Sequence, residues 1–187
     1  MNISLRTPRM TRDEFFAWAQ RQDARYEFDG VAPVAMGGAT VRHNQITANI
    51  VGALRARLRG TGCRSLGPEA GVATIGDAVR YPDALVTCSK VSGDSYLVPG
   101  VIVVFEVISP TSGRTDRIIK LGEYAAVASI RRYIILESAG IGLTVFARQD
   151  GMQPWLASAL TEQDTLSLPE IGIEIPVAEL YEDADLS

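Results

Sequence analysis

Two apolar runs decide how this chain is read: Arg80-Tyr81-Pro82-Asp83-Ala84-Leu85-Val86 and Val101-Ile102-Val103-Val104-Phe105-Glu106-Val107-Ile108-Ser109. Both are short and rich in β-branched residues, which predicts two neighbouring strands. The second stays apolar without alternating, as a strand buried on both faces does. Glu106 interrupts it. A buried, ionised carboxylate is costly unless a positive group meets it. Period-two alternation puts Glu106 on the face of Ile102, Val104 and Ile108, and Asp83 on the face of Tyr81 and Leu85. Where those faces coincide, carboxylates ~4 Å apart at an effective dielectric near ~20 repel by roughly 4 kcal/mol. A divalent cation, a shared proton or a lysine must offset that repulsion.

Ser109-Pro110-Thr111-Ser112-Gly113 ends the strand, and residues 114–128 read as a helix with Ile118, Leu121, Ala125 and Ala128 as its apolar stripe. Lys120 and Tyr124, one turn apart, border that stripe, where a long side chain can reach the sheet edge. Two carboxylates and a lysine suit metal-assisted phosphodiester hydrolysis. The carboxylates hold Mg²⁺, the metal supplies hydroxide, and the lysine steadies the water or the developing charge. Each residue alone also has a structural reading. Asp83 can cap a turn after Pro82, and Glu106 can pair with Lys120, Arg80 or the Arg131-Arg132 dipeptide. Asp116 and Lys120 can form an i,i+4 ion pair.

The ordered set Pro82-Asp83, Glu106-Val107-Ile108-Ser109-Pro110, Lys120-Leu121-Gly122-Glu123-Tyr124 and Tyr133-Ile134-Ile135 resembles the Uma2 family of endonuclease-like proteins. That family is a branch of the restriction-endonuclease-like PD-(D/E)xK superfamily. Arg25-Tyr26-Glu27-Phe28-Asp29-Gly30, Met36 and His43 resemble its front half, so the likeness runs over about residues 10 to 180. One departure stands out. Two residues after Glu106, where the superfamily usually has lysine, this chain has Ile108, and the Uma2-like branch places its lysine on the following helix, as Lys120. The resemblance implies an endonuclease hydrolysing DNA with Mg²⁺ or Mn²⁺. Asp83, Glu106 and the Val107 carbonyl would be metal ligands, Lys120 would orient or activate water, and Glu27 would hold a second metal or the lysine. It also implies a homodimer, so that both strands of a duplex are cut. Two other classes stay open: a binding or scaffold module that keeps the acidic site, and a metal-free hydrolase using the carboxylates as a dyad.

The chain's 187 residues suggest a single domain, 1–187, with a core of ordinary size. A net charge of -4 argues against tight non-specific nucleic-acid binding by the monomer as a whole. Cys63, Cys88 and the one histidine, His43, lack zinc-ligand spacing, and the cysteines do not suggest a disulfide scaffold. Residues 1–10 hold no apolar signal segment and no run is long enough for a membrane span, which leads to a cytoplasmic expectation.

The remaining elements follow in order. Thr11 and Glu14 form a capping box for a short helix whose buried side is Phe15, Phe16 and Trp18. Residues 25–35 read as a hairpin around Asp29-Gly30, with Asp29 a turn residue and Glu27 either a solvated strand residue or an acid at the metal site. A helix over 43–59 turns Ile46, Ile50, Ala53, Leu54 and Leu58 inward. Arg55, Arg57 and Arg59 at its end suit the helix dipole or phosphate contact, and His43 is a first-turn residue or a phosphate or proton-shuttle group. Residues 63–75 read as one strand interrupted at Gly67-Pro68, with Glu69 in the break, and Gly76-Asp77 turns into the Asp83 strand. Residues 131–137 complete a strand-helix-strand crossover, implying parallel pairing. A hairpin over 142–148 and 152–160 turns at Gln149-Asp150-Gly151, and 166–180 alternates as a last strand or two. The class is α+β (mixed α/β): a central mixed sheet flanked by helices, with extra hairpins.

Overall fold

The computed structural model describes residues 9–108, 114–151 and 153–185. The expected strand end at residues 109–113, the Asp116–Lys120 pair and Met152 at the start of a strand lie outside what is described. The elements run α1 (Arg12–Ala19), β1 (Tyr26–Phe28), β2 (Pro33–Ala35), α2 (Val41–Arg57), β3 (Arg64–Leu66), β4 (Val72–Ala73), β5 (Val79–Arg80), β6 (Ala84–Thr87) and β7 (Val101–Ile108). They continue with α3 (Arg114–Ala125), β8 (Arg132–Glu137), β9 (Leu143–Ala147), β10 (Leu156–Leu160), β11 (Thr165–Leu168), β12 (Ile173–Pro176) and α4 (Val177–Leu180). The class is α+β with a mixed central sheet, as expected.

The central sheet has the order β10-β9-β8-β7-β6-β3. β7 pairs antiparallel with β6 and parallel with β8, the arrangement expected of a strand-helix-strand crossover through α3. Alternation along β7 sends its residues into two layers. Val103, Phe105 and Val107 pack with Ile46, Ile50 and Leu54 of α2 and with the inward residues of the β11–β12 hairpin. Val104 and Ile108 face the other way, toward Tyr124 of α3 and Tyr133 and Ile135 of β8. Glu106 belongs by period to this second layer. A smaller sheet, β2-β1-β5-β4, brings Glu27 and Arg80 to the same side of the molecule as α3.

Local chemistry explains the element ends. Thr11 accepts from the Glu14 amide while Glu14 reaches back to the Thr11 amide, the reciprocal box anticipated for α1. Thr40 caps α2 by accepting from the His43 amide, which sets His43 in the first turn. Asp29 Oδ1 accepts from the amides of Val31 and Ala32, and Gly30 takes φ +86, so the β1–β2 turn accounts for both residues. Arg57 is bonded bidentately to Glu179 of α4, a tie that anchors the C-terminal segment to α2. No helix among the described residues is long and apolar enough to cross a membrane.

Four expectations change. Residues 63–75 are two strands in different sheets, because Gly67-Pro68 redirects the chain: β3 joins β6 and β4 joins β5. Gly76-Asp77 therefore turns into β5, and Asp83 lies after β5, at the entry to β6. Helix α3 ends at Ala125, and its buried side is centred on Glu123 and Tyr124; Ile118, placed in the apolar stripe, keeps 62% of its surface exposed. The polar face points inward because it meets charged partners on the neighbouring strands. Finally, Cys63 and Cys88 form a disulfide between β3 and β6. The antiparallel register sets Arg64 against Thr87, so the next pair outward is Cys63 against Cys88.

Candidate functional site

The site sits at the carboxyl end of β7, where Asp83, Glu106, Lys120 and Glu27 come together. The β6–β7 register pairs Ala84 with Phe105, and continuing it by one residue sets Asp83 across from Glu106. Asp83 Oδ2 accepts from the Val107 amide at 2.7 Å, so the carboxylate is fixed to the backbone beside Glu106. The His43 Nε2 atom, delivered by the first turn of α2, lies 3.4 Å from that same oxygen. Hydrogen bonding to Asp83 raises the His43 pKa, opposed by partial burial and reinforced by the charges of Asp83 and Glu106 and by the Val107 main chain. Nδ1 of His43 is enclosed without a hydrogen-bond partner among the described residues.

Glu106 is 6% exposed. Tyr124 donates to its Oε1 at 2.8 Å, and Lys120 Nζ stands 3.2 Å from the same atom. Burial pushes the Glu106 carboxyl up to about 7; Lys120 opposes the rise, Asp83 and Glu27 add to it, and the Tyr124 bond opposes it. Burial, with the charge of Glu106, also drives the Tyr124 phenol well above its ordinary value, so it stays a donor. Lys120 completes a bridge: its Nζ is 3.5 Å from Glu27 Oε1. The predicted residues Asp83, Glu106, Lys120 and Glu27 are thus assembled by four separate elements or their ends.

Behind them lies a network whose pairing the sequence left open. Arg80, 4% exposed, donates from Nε and Nη2 to both Glu123 oxygens at 2.6 and 2.7 Å, and from Nη1 to Glu27 at 3.0 Å. Burial works against the Arg80 charge, yet Glu123 and Glu27 raise its pKa overall. Glu27 also accepts from the Tyr81 amide. Arg80 was one of several partners suggested for Glu106; it serves Glu27 and Glu123 instead, while Arg132 pairs with Glu170. The available signal was an apolar-flanked Arg80 three residues before Asp83, together with Glu123 one turn-step from Lys120 on α3. Glu69 lies away from the site on the surface with Arg25.

The donor set can be tested for a divalent cation. Around β7, the carboxyl groups of Asp83, Glu106, Glu27 and Glu123 stand with the basic groups Lys120, Arg80 and His43. Asp83 Oδ2 is the oxygen held by the Val107 amide and approached by His43 Nε2. Among the described residues, no group of three or more His, Cys, Asp or Glu side chains is arranged to hold a metal ion by itself. Both Glu106 oxygens are engaged by Lys120, and Oε1 by Tyr124 as well, so an ion held by Asp83 and Glu106 would displace the ammonium and fill its other positions with water or substrate oxygens, as Mg²⁺ does. Asp83 and Glu106 are the two carboxylates of this set that lie side by side, the number that Mg²⁺ commonly takes from a protein.

Comparison with known proteins places the chain among relatives. The uncharacterized protein slr1290 of Synechocystis sp. is 26% identical over 177 residues, covering 93% of this chain and 92% of that protein. A crystal structure described as "a putative nuclease belonging to DUF820", from Anabaena variabilis, superposes with a TM-score of 0.73. It shares 14% identity and covers 92% of this chain and 97% of its own, a likeness that establishes a common fold. Residues 12–178 match the family profile described as "Putative restriction endonuclease". That match takes in α1 through the start of α4 and every site residue above, and the chain belongs to the Uma2 family.

Proposed function

We propose that this chain is a divalent-metal-dependent nuclease that hydrolyses DNA phosphodiester bonds, within one domain of residues 1–187. The observation that carries the reading is the convergence of Asp83, Glu106 and Lys120 at one end of β7, with Lys120 bridging Glu106 and Glu27. Asp83, Glu106 and the Val107 carbonyl would hold Mg²⁺ or Mn²⁺. When bound, such an ion supplies an activated water and charge stabilisation on the phosphoryl oxygens. The chain's own residues do the rest. Val107 and His43 fix the Asp83 carboxylate, while Tyr124 fixes that of Glu106. Lys120 lies where an ammonium can position the attacking water or meet the charge that grows on phosphorus. Arg80 holds Glu27 in place, which limits where Lys120 can rest.

The test is incubation of purified protein with supercoiled plasmid and with short single-stranded DNA and RNA, in Mg²⁺, Mn²⁺ or EDTA. Cleavage that requires metal and vanishes in Asp83→Ala is the expected result; a folded protein that cuts nothing in any metal overturns it. A second reading, a nuclease-fold binding module without turnover, is favoured by Ile108, which is buried where the superfamily's lysine usually stands. It predicts that Asp83→Ala leaves nucleic-acid binding intact and that no metal produces cleavage. The cytoplasmic location expected from the sequence is tested by the state of the Cys63–Cys88 pair in cells alkylated at lysis, a reduced pair supporting it and an oxidised one opposing it.

A further inference from the structure

The open edge of the central sheet carries an inference independent of the nuclease reading. β10 pairs with β9 along its whole length, in unbroken register from Leu156↔Ala147 to Leu160↔Leu143. No other strand pairs with it among the described residues. Its residues 156–159 are exposed, and Leu156 keeps 74% of its surface in water. The strand has no charge, no proline and no bulge. Those are the devices by which edges ordinarily avoid pairing with other chains. The opposite edge is different: β3 is three residues long, carries Arg64, and is flanked by the Cys63–Cys88 bond.

We propose that β10 is a homodimer interface, in which a second copy of this chain adds its own β10 antiparallel and joins the two central sheets into one. The sequence Leu156-Ala157-Ser158-Ala159-Leu160 reads the same in both directions. A two-fold axis at Ser158 therefore sets like against like: Ser158 meets the partner's Ser158, Ala157 meets the partner's Ala159, and Leu156 meets the partner's Leu160. One patch facing itself is the form a two-fold interface takes. Leu160 already packs at the margin of the main core, so the pairing extends that core over the exposed Leu156.

Charge supports the same register. Beside Leu156 opens a concavity of about 920 Å³ whose wall includes Arg131, Gln153 and Pro154. Arg132 and Arg148 in that wall are engaged, the first by Glu170 and the second by the carbonyls of Ile130, Ala125, Gly151 and Val127. Arg131 forms no ion pair with a described residue. Continuing the pairing about Ser158 brings the partner's Glu162, on the turn after β10, toward Pro154 and the mouth of this basic concavity. β9 and β8 separate β10 from β7, so the interface leaves the acidic site open.

The test is the solution mass of the full chain by size-exclusion chromatography with light scattering, for wild type, Ser158→Lys and Ser158→Cys. Ser158→Lys puts two ammonium groups face to face on the axis, where like charges oppose pairing. Because Cys63 and Cys88 are bonded to each other, the Ser158→Cys thiol is the new reactive one. The expected results are a wild-type dimer, a Ser158→Lys monomer with the wild-type circular dichroism spectrum and a thermal midpoint that no longer depends on protein concentration, and a covalent Ser158→Cys dimer on mild oxidation. Glu174→Cys, exposed on β12, should give no such dimer. A monomeric wild type, a dimer indifferent to Ser158→Lys, or absence of the Ser158→Cys cross-link overturns the proposal. Should Ser158→Lys fail to fold, the cross-linking result decides.

Discussion

Lys120 meets Glu106 from a helix, with its Nζ 3.2 Å from Oε1, although the strand that carries Glu106 has Ile108 at the position two residues on. The ammonium thus arrives from α3, and the same helix delivers Tyr124 to the same oxygen. One rigid element therefore sets both the charge and the orientation of a buried carboxylate.

Replacing Lys120 by Met should lower single-turnover DNA cleavage by roughly 10²- to 10⁴-fold, the range for a positioned proton-transfer or charge-stabilising group. Mn²⁺ binding, followed by calorimetry, should survive, because the carboxylates remain and a competing cation is gone. Unchanged cleavage would remove Lys120 from the mechanism while leaving the Asp83–Glu106 pair.

Arg80→Met should be among the most destabilising changes in the chain. It strips Glu27 and Glu123 of the guanidinium that both contact in a buried setting. Breaking such a network by removing one partner costs about 3–5 kcal/mol. Urea denaturation followed by circular dichroism measures it, and a loss below about 1 kcal/mol, the value of a surface ion pair, would show the network to be solvated.

The pH dependence follows from Glu106. Its carboxyl is raised from 4.5 to about 7 without a bound ion. Between those values the folded chain retains a proton that the unfolded chain releases, so this group makes stability fall as pH rises through that window. Denaturant titrations in EDTA at several pH values should show that slope in wild type and its absence in Glu106→Gln. Metal competes with the same proton, so Mn²⁺ affinity should rise across the window and level off above it.

The Cys63–Cys88 bond closes a segment with a sequence separation of 25 that contains Arg80 and Asp83. Loop closure of that size restricts the unfolded chain by about 3–4 kcal/mol on the entropy model. The double variant Cys63→Ser/Cys88→Ser should lower the urea denaturation midpoint accordingly, and an unchanged midpoint would show that the bond adds nothing to stability.

The chain's own order of residues determined the chemistry gathered at the end of β7 and most of the elements. Glu106 in an otherwise apolar strand demands a partner whatever the tertiary context, because a lone buried charge is too costly. Thr11-Arg12-Asp13-Glu14 specifies a cap, and Asp29-Gly30 specifies a turn, through bonds reaching only a few residues. Relations between distant segments were decided by packing. Period 3.6 alone placed Ile118 on the buried stripe of α3, but Glu123 and Tyr124 turn inward because Arg80 and Glu106 wait there on other strands. Cys63 and Cys88 carried no pairing signal, and it is the β3–β6 register that sets them face to face. His43 reached Asp83 only once α2 crossed the sheet. Side-chain type reports what a group needs, while three-dimensional register selects which of several chemically suitable partners supplies it.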